Sequence, residues 1–440
     1  MLGSGSINPK VSIIMPSLNV KKYIDECLKS VVNQSLKEIE IICVDAGSTD
    51  GTIEIIKNYA CLDDRIKVIN SEYKSYGYQM NIGIDSATGE YIGVVETDDY
   101  IDEKMFEKLY GYARQYCLDV VKADYNIFYG DENNRDFVYS PMFNTSLADL
   151  YWKVASYEKD SRILDANMVT WAGIYKHEFL IKYNIRHNES LGASFQDTGF
   201  WIQIMMNASR IMYVDEPYYF LRRDNENSSV FDRKKIKCLS EEYDYMHSVI
   251  LNSKCKKKIW LQILWNRRYF SCIWEIKRAR YNDRKQVLSL SSQQLKKAIE
   301  NGELYKDSTN KKYWEEIKKI AYNPEDYFHE NYELSQEIIV KLKKAYGIYI
   351  FGAGGYAQRS FSLLNGIDGF DNAFQGFVVT SLDNNPARLL HKKVMPLEII
   401  EPKENYYIIV GVSKEKESEV CNSLRSKGFA NIIMYGEITI

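Results

Sequence analysis

The sequence lacks four features that would place it in a specialised class of protein. Its formal net charge is only −3 over 440 residues, which is not the basic footprint of a nucleic-acid binder. It has no run of about 20 apolar residues, the length that a membrane-spanning helix needs. Its eight cysteines form no CxxC pair and no metal-finger spacing, which favours free thiols in a reducing cytoplasm. Because Met1–Ser6 is Gly/Ser-rich, no signal peptide is expected either.

What the sequence contains is enough chain for two or three domains. Hydrophobic residues make up 45% and charged residues 27% of it, as in globular proteins. We predict an α/β domain over 9–231, a mostly helical region over 232–340 and a small α/β domain over 341–440. In the first domain strands alternate with helices, which predicts a mainly parallel sheet. Ligands bind to such sheets at the carboxyl ends of the strands.

The first domain is organised around an acidic stretch that follows a strand. Tyr91–Val95 is a short apolar run typical of a buried strand, and Glu96, Asp98 and Asp99 come directly after it. Carboxylates this close repel each other, and a hard divalent cation that also binds a diphosphate would relieve the repulsion. A solvated acidic turn that caps the next helix explains the same residues, so both interpretations stay open.

A second acid lies at the same predicted sheet edge. Val11–Met15 reads as a strand stopped by Pro16, and Ile39–Val44 as a strand that ends at Asp45. A carboxylate at a strand end can accept hydrogen bonds from a nucleobase or ribose. It can equally close its own turn through an Asx bond.

Four motifs follow each other in the first hundred residues: Val11–Asn19, Val44–Thr52, Asn81–Gly83 with Ala87–Ile92, and Glu96–Asp99. In this order they resemble the family 2 glycosyltransferases, inverting enzymes of GT-A fold that use nucleotide-diphosphate sugars. The resemblance implies a UDP-sugar donor, Mn²⁺ or Mg²⁺ as cofactor, and a glycan, glycolipid or glycoprotein acceptor at the bacterial cell surface. It assigns the metal to Asp98, helped by Glu96. It places at the donor Pro16, Ser17, Asn19, Asp45, Asn81, Glu96, Asp98 and Arg222.

Two later positions extend the resemblance. Asp197 matches the family's general base, which takes the proton of the acceptor hydroxyl during an inverting transfer. By itself, an Asp before an aromatic helix is most often a helix cap. Arg222 matches an Arg that follows an aromatic strand. With Ser228 and Ser229 it would close over the diphosphate, although a solvated turn has the same composition.

The chain departs from the family pattern at four positions. Ala46 replaces the second acid of the usual Asp-Asp-Gly-Ser, and Glu96 replaces the first acid of the DxD motif. Met80 stands where an Arg is usual, which removes a cation near the nucleotide. Gln196 replaces the Glu before the base. Ala46, Met80 and Gln196 motivate an alternative, a non-catalytic scaffold that binds a sugar or a partner chain.

Three further regions leave their function open. Residues 130–165 could cover the acceptor site or simply connect two elements. Residues 256–281 mix aromatic and basic side chains, which suits a peripheral contact with an anionic membrane, or a packed helix with snorkelling Lys and Arg.

Gly352-Ala353-Gly354 follows a predicted strand, as in a Rossmann phosphate loop. This Rossmann-like domain could serve close helix packing or self-association, or it could bind a nucleotide or another small ligand. A further interpretation, a nucleotide-dependent oxidoreductase, is weakened because no acid ends the next strand to bind a ribose.

Overall fold

The computed structural model describes residues 9–225, 235–309 and 311–439. The chain forms two compact units: residues 1–232 with 241–255, and residues 233–240 with 256–440. The division into three domains stays a prediction. All eight cysteines are free thiols, as expected. Among the described residues, no helix has the length and apolar character required to cross a bilayer.

The first unit is built on one nine-stranded mixed sheet. Its strands are β1 (Val11–Ser17), β2 (Ile39–Asp45), β3 (Ile66–Asn70), β4 (Tyr91–Val94), β5 (Tyr100–Ile101), β6 (Val120–Tyr129), β7 (Asp136–Ser140), β8 (Gly173–Lys176) and β9 (Ile211–Arg222). The helices are α1 (Ile24–Val32), α2 (Thr52–Ala60), α3 (Tyr76–Ser86), α4 (Met105–Gln115), α5 (His177–Lys182) and α6 (Gln196–Asn207), followed by α7 (Cys238–Asn252), whose residues 241–252 belong to this unit.

The strands lie in the order β3-β2-β1-β4-β8-β6-β9-β5, with β7 paired to β6. The first four are parallel, as predicted, but β8 is antiparallel to both of its neighbours. Two antiparallel pairings in succession restore the original direction, and β9 is parallel to β6. The carboxyl ends of β1, β2, β4, β6 and β9 therefore lie on the same edge of the sheet.

Burial explains why these segments are strands. Every residue of β1, β2 and β4 is buried, as expected for the centre of a sheet covered on both faces. The prediction that Pro16 stops the first strand is wrong. Pro16 is paired in register with Val44, and β1 continues to Ser17 beside Asp45. The Pro16 carbonyl instead accepts a hydrogen bond from Thr97 Oγ1 at 2.9 Å, which ties this strand end to the acidic stretch.

The second unit begins with helices, as predicted, and ends in a sheet. Its helices and strands are α8 (Lys257–Arg278), α9 (Arg284–Glu300), α10 (Lys311–Tyr322), α11 (Pro324–Tyr332), α12 (Gln336–Lys343), β10 (Gly347–Phe351), α13 (Gly355–Leu364), α14 (Phe370–Ala373), β11 (Phe374–Val379), β12 (Arg388–Leu389), β13 (Lys392–Pro396), β14 (Tyr406–Val410), α15 (Lys414–Ser426) and β15 (Asn431–Met434). The sheet order is β12-β13-β11-β10-β14-β15, and only the β12–β13 pair is antiparallel.

Candidate active site

At the edge of the first sheet, the chain turns after Asp45, and the Asp45 side chain closes this turn by hydrogen bonds. This carboxylate is 2% exposed and accepts hydrogen bonds from the Gly47 and Ser48 amides at 3.0 and 2.8 Å. The hydroxyls of Ser48 and Ser17 donate to its other oxygen at 2.5 and 3.1 Å. The Asx interpretation is thus correct as a description of the turn. A ligand that meets Asp45 would meet a carboxylate that is already oriented by four donors.

Asn19 fastens the loop after β1 to the same turn. Its amide donates to Ser48 Oγ at 2.9 Å, and its Oδ1 accepts from the Thr49 amide at 2.8 Å. Asn19 has a φ of +54°, a conformation that Asn tolerates better than most residues. The predicted donor residues Ser17, Asn19 and Asp45 are therefore brought together at adjacent strand ends.

The acidic stretch after β4 is held by two tyrosines. Tyr76 donates to Glu96 Oε1 at 2.7 Å, and the Tyr219 hydroxyl accepts from the Glu96 amide at 3.0 Å. The same Tyr219 hydroxyl donates to Asp99 Oδ2 at 2.8 Å. Asp98, which lies between Glu96 and Asp99 in the sequence and is half-buried, accepts a hydrogen bond from Asn225 Nδ2 at 2.8 Å. The turn is ordered by buried partners, so it is not a solvated helix cap.

The acids of this stretch repel one another. Burial, and then the charges of Asp98 and Asp197, raise the pKa of Glu96 to about 8 against the hydrogen bond from Tyr76. Burial and Asp98 raise the pKa of Asp99 well above its usual range. A divalent cation beside Asp98 would offset this cost. Oxygen ligands of this kind fit Mn²⁺ or Mg²⁺. Within the described residues no three His, Cys, Asp or Glu side chains converge on one point, so a diphosphate would have to supply further ligands.

Arg222, at the end of β9, supports the acidic stretch through a hydrogen bond to its backbone. Its Nε donates to the Asp98 carbonyl at 3.0 Å and its Nη2 to Glu26 Oε2 at 2.8 Å. Its guanidinium lies 4.6 Å from the Tyr23 ring centroid and 4.5 Å from that of Phe128. The alternative of a solvated turn is wrong for this side chain, which is 6% exposed. Its contact with a diphosphate stays a prediction, and Ser228 and Ser229 lie outside the described residues.

Asp197 is the second residue of α6, and its charge acts on Glu96. Its Oδ1 accepts from the Thr198 amide at 2.9 Å, and burial raises its pKa to about 6. Its charge reaches both Glu96 and Tyr76, which places the predicted base within electrostatic range of the predicted metal residues. The carboxyl group also lines a small cavity, shared with Lys122, Tyr175, Trp201 and Tyr213.

Asn81, the remaining donor prediction, is used inside the fold. Its Nδ2 donates to the His187 carbonyl and to Glu189 Oε1 at 3.0 and 2.9 Å, and its Oδ1 accepts from the His187 amide at 2.9 Å. Both ends of the amide thus fix α3 to the segment at 187–189. The structure does not bring the Asn81 side chain to the acidic stretch, and a donor contact stays a prediction.

Comparison with known proteins assigns this arrangement to a family. The model of glycosyl transferase family 2 matches residues 12–170. Glycosyltransferase GlyG of Streptococcus pneumoniae serotype 4 is 33% identical over 218 residues, which are 48% of this chain and 70% of that protein. This chain belongs to glycosyl transferase family 2.

Other relatives and solved structures agree on the fold. An uncharacterized glycosyltransferase, EpsJ of Bacillus subtilis (strain 168), is 32% identical over 220 residues, which are 50% of this chain and 62% of that protein. The match thus spans less than two thirds of that relative. The crystal structure of S. aureus TarS 1-349 has a TM-score of 0.50 at 24% identity, covering 64% of this chain and 80% of that chain. This likeness shows a common fold, the GT-A fold that the motifs implied.

Family motifs did not reveal several residues of the site. Tyr76 and Tyr219 hold the acids at 96–99, and Glu26 pairs with Arg222, and each is far in sequence from its partner. Tyr76 and Glu26 lie outside the family motifs, and Tyr219 lies in the aromatic strand before Arg222, to which the motifs gave no role at the acids. Only the high tyrosine content, 35 residues, hinted at such contacts. Gln196, which replaces a family Glu, has a structural role: it is 1% exposed and its amide holds the loop at 190–194.

Proposed function

We propose that this chain is a metal-dependent, inverting glycosyltransferase. It would move a hexose or N-acetylhexosamine from a UDP-sugar to a hydroxyl of a glycan, glycolipid or glycoprotein. The observation that carries the proposal is the electrostatic proximity of Asp197 to the acidic stretch: a half-buried carboxylate with a raised pKa acts on Glu96, one of the acids that would hold the donor's metal. TarS, which has the same fold, has been solved with UDP and with UDP-GlcNAc. These complexes support a UDP-linked donor for the present chain.

Each residue has one task in this reaction. Pro16, Ser17 and Asp45 would bind the uridine, and Asp98, helped by Glu96, would hold the cation. When bound, the cation would supply Lewis-acid stabilisation to the departing diphosphate. Asp197 accepts the proton of the acceptor hydroxyl as its oxygen bonds to the anomeric carbon. The bond from that carbon to UDP breaks on the opposite face, UDP leaves with the electron pair, and the configuration inverts.

The direct test is UDP release from a panel of UDP-sugars with Mn²⁺, with Mg²⁺ and with a chelator. We expect one sugar to be hydrolysed slowly, only with metal, and not by Asp98→Ala. Glu103→Ala, which removes an exposed carboxylate just after β5, is the matched control and should keep the rate. Metal-dependent UDP binding without any release under all conditions would point to the scaffold alternative.

The second unit supports two smaller proposals. We infer that its sheet is a Rossmann-like domain, because β13-β11-β10-β14-β15 has the strand order of doubly wound nucleotide-binding sheets. The acid that would bind a ribose is missing, since β11 ends at Val379 and Thr380-Ser381 follow. A structural or self-associating role therefore stays the leading interpretation, and the oligomeric state measured by light scattering tests it.

The aromatic side chains of the basic helix α8 differ in their exposure to solvent. Trp260, Leu264 and Trp265 are buried, as the packed-helix interpretation expects, whereas Phe270 and Trp274 are 51% and 46% exposed. Peripheral contact with an anionic membrane therefore stays a proposal. Flotation with anionic liposomes tests it, and Trp274→Ala should weaken flotation if α8 inserts its aromatic side chains.

A further inference from the structure

Lys122 is a buried lysine on β6 that the proposed reaction does not use. It is 4% exposed, and burial lowers its pKa well below the usual range. Its Nζ, which has three N–H groups, lies within hydrogen-bond distance of four acceptors: the carbonyls of Val169 and Thr170 at 2.9 and 3.1 Å, the Trp171 carbonyl, and the Tyr175 hydroxyl at 3.1 Å. Three successive carbonyls around one ammonium give it the acceptors that a buried charge needs.

The chain at 169–173 is shaped around this side chain. Ala172 has a φ of +55°, which an L-residue adopts only under constraint, and its carbonyl accepts from the Ala123 amide at 2.8 Å. Gly173 lies opposite Lys122 in the β6–β8 pair. A Cβ on Gly173 would stand 2.4 Å from Lys122 Cδ. The absence of a side chain at Gly173 therefore leaves room for the aliphatic part of Lys122.

The turn at 169–172 carries Trp171, which contacts a tyrosine that is bound to the acidic stretch. The indole of Trp171 stacks on Tyr219, with ring centroids 4.5 Å apart and planes 23° apart. Tyr125, which is on β6 like Lys122, packs edge-on against the Trp171 indole, with ring centroids 4.8 Å apart. The hydroxyl of Tyr219 in turn donates to Asp99 and accepts from the Glu96 amide. A continuous set of contacts thus leads from Lys122 through the turn to the acids.

We propose that Lys122 is a positioning residue, which holds the turn at 169–172 so that Trp171 seats Tyr219 and Tyr219 fixes the acidic stretch at 96–99. Its importance for metal and donor binding rests on the proposed function. The positioning itself does not, because it concerns the order of the stretch in the free protein.

Asp124 offers a matched control on the same strand, two residues further on. It is also fully buried, and accepts from Tyr139, from the Met142 amide at 2.7 Å and from the Tyr151 hydroxyl at 2.7 Å. It therefore anchors the segment at 139–151 rather than the turn at 169–172. Asp124→Asn and Lys122→Met each remove one buried charge from β6, but they release different segments.

The deciding experiment is amide hydrogen exchange of the full chain without ligand. Lys122→Met should accelerate exchange in peptides covering 169–172 and 96–99, where the Glu96 amide is bound to Tyr219. Asp124→Asn should accelerate exchange at 139–151 and leave 96–99 as in the parent. Unchanged exchange at 96–99 in Lys122→Met, or equal acceleration there in both variants, would overturn the inference.

Calorimetry of UDP binding with Mn²⁺ measures the consequence for the site. We expect Lys122→Met to weaken metal-dependent binding about 2- to 30-fold, because it acts through Trp171 and Tyr219 and not directly on a metal ligand. Asp124→Asn should bind like the parent. Should the parent itself bind no UDP, the proposed function fails, while hydrogen exchange still decides on Lys122.

A milder variant covers the case in which Lys122→Met does not fold. Tyr175→Phe removes one acceptor of Lys122 and the hydroxyl that donates to the Thr170 carbonyl at 2.7 Å. Exchange at 169–172 and 96–99 should rise together in this variant. A rise confined to 169–172 would break the link to the acids and contradict the proposal.

Discussion

At the scale of single residues, the burial of Asp197 sets the pH at which it can act. A general base must be ionised, and the pKa of this carboxyl is raised to about 6 by burial. We predict that log kcat/KM rises with a slope of one up to about pH 6 and is level above it. Asp197→Asn should fold but lose about a hundredfold to ten-thousandfold in rate. A rate that is independent of pH between 4.5 and 7 would remove Asp197 from this role.

Gln196 leads to a prediction against the family pattern. Its Nε2 donates to Ser190 Oγ at 2.9 Å and to the Gly192 carbonyl at 3.2 Å. A carboxylate cannot donate, so Gln196→Glu places a buried charge against a carbonyl although Glu is the usual family residue. We expect a loss of about 1–3 kcal/mol in the free energy of unfolding by denaturant titration.

The matched change for that titration is Gln293→Glu, which introduces the same residue at an exposed position of α9. It should alter the free energy of unfolding by less than about 0.5 kcal/mol. A Gln196→Glu variant as stable as the parent would mean that the loop at 190–194 does not depend on the Gln amide.

At the scale of elements, two helical glycines should respond to alanine in opposite ways. Gly83 on α3 is buried, and a Cβ there would stand 2.5 Å from Ile14 Cγ2 on β1. Overpacking of this kind costs about 1–3 kcal/mol. Gly111 on α4 is exposed with nothing within 4 Å of an added Cβ, so Gly111→Ala should stabilise the protein by about 0.5–1 kcal/mol. Denaturant titration compares the two, and shifts of the same sign would contradict the packing of α3 on β1.

At the scale of the whole molecule, buried acids make stability depend on pH. Burial raises the pKa of Glu242 to about 8 and that of Glu275 to about 7, from 4.5. Such groups stabilise the fold when protonated. Their contribution is complete below about pH 4.5 and is lost as the pH rises through 7 to 8. We therefore predict that the thermal midpoint falls between pH 5 and pH 8.5.

Variants separate this effect from general charge repulsion. Glu275→Gln removes one titrating group and should reduce the fall of the thermal midpoint. Glu300→Gln changes an exposed position of α9 and should leave the fall as it is. A midpoint that increases steadily from pH 5 to pH 8.5 would contradict the burial of these acids.

Local pattern was sufficient for much of this protein. Runs of β-branched residues predicted β1, β2 and β4 to within two residues, because strands in the middle of a sheet bury mainly apolar side chains. Chain order also placed Asp45 and the acids at 96–99 on one edge, since the carboxyl ends of parallel strands meet there. The same order of motifs was enough to indicate the family and its fold.

Tertiary structure decided how the acids are held and which residues act behind them. Tyr219 lies more than a hundred positions from Glu96, and Lys122 almost fifty from the turn that it holds, so no spacing in the sequence could join them. The reversal at β8 and the continuation of β1 through Pro16 depend on which strands become neighbours. Sequence determined the strands, the acids and the family, because these follow from local burial and from side-chain chemistry. The partners of each buried charge depended on the folded chain, since only folding brings distant donors and acceptors within hydrogen-bond distance.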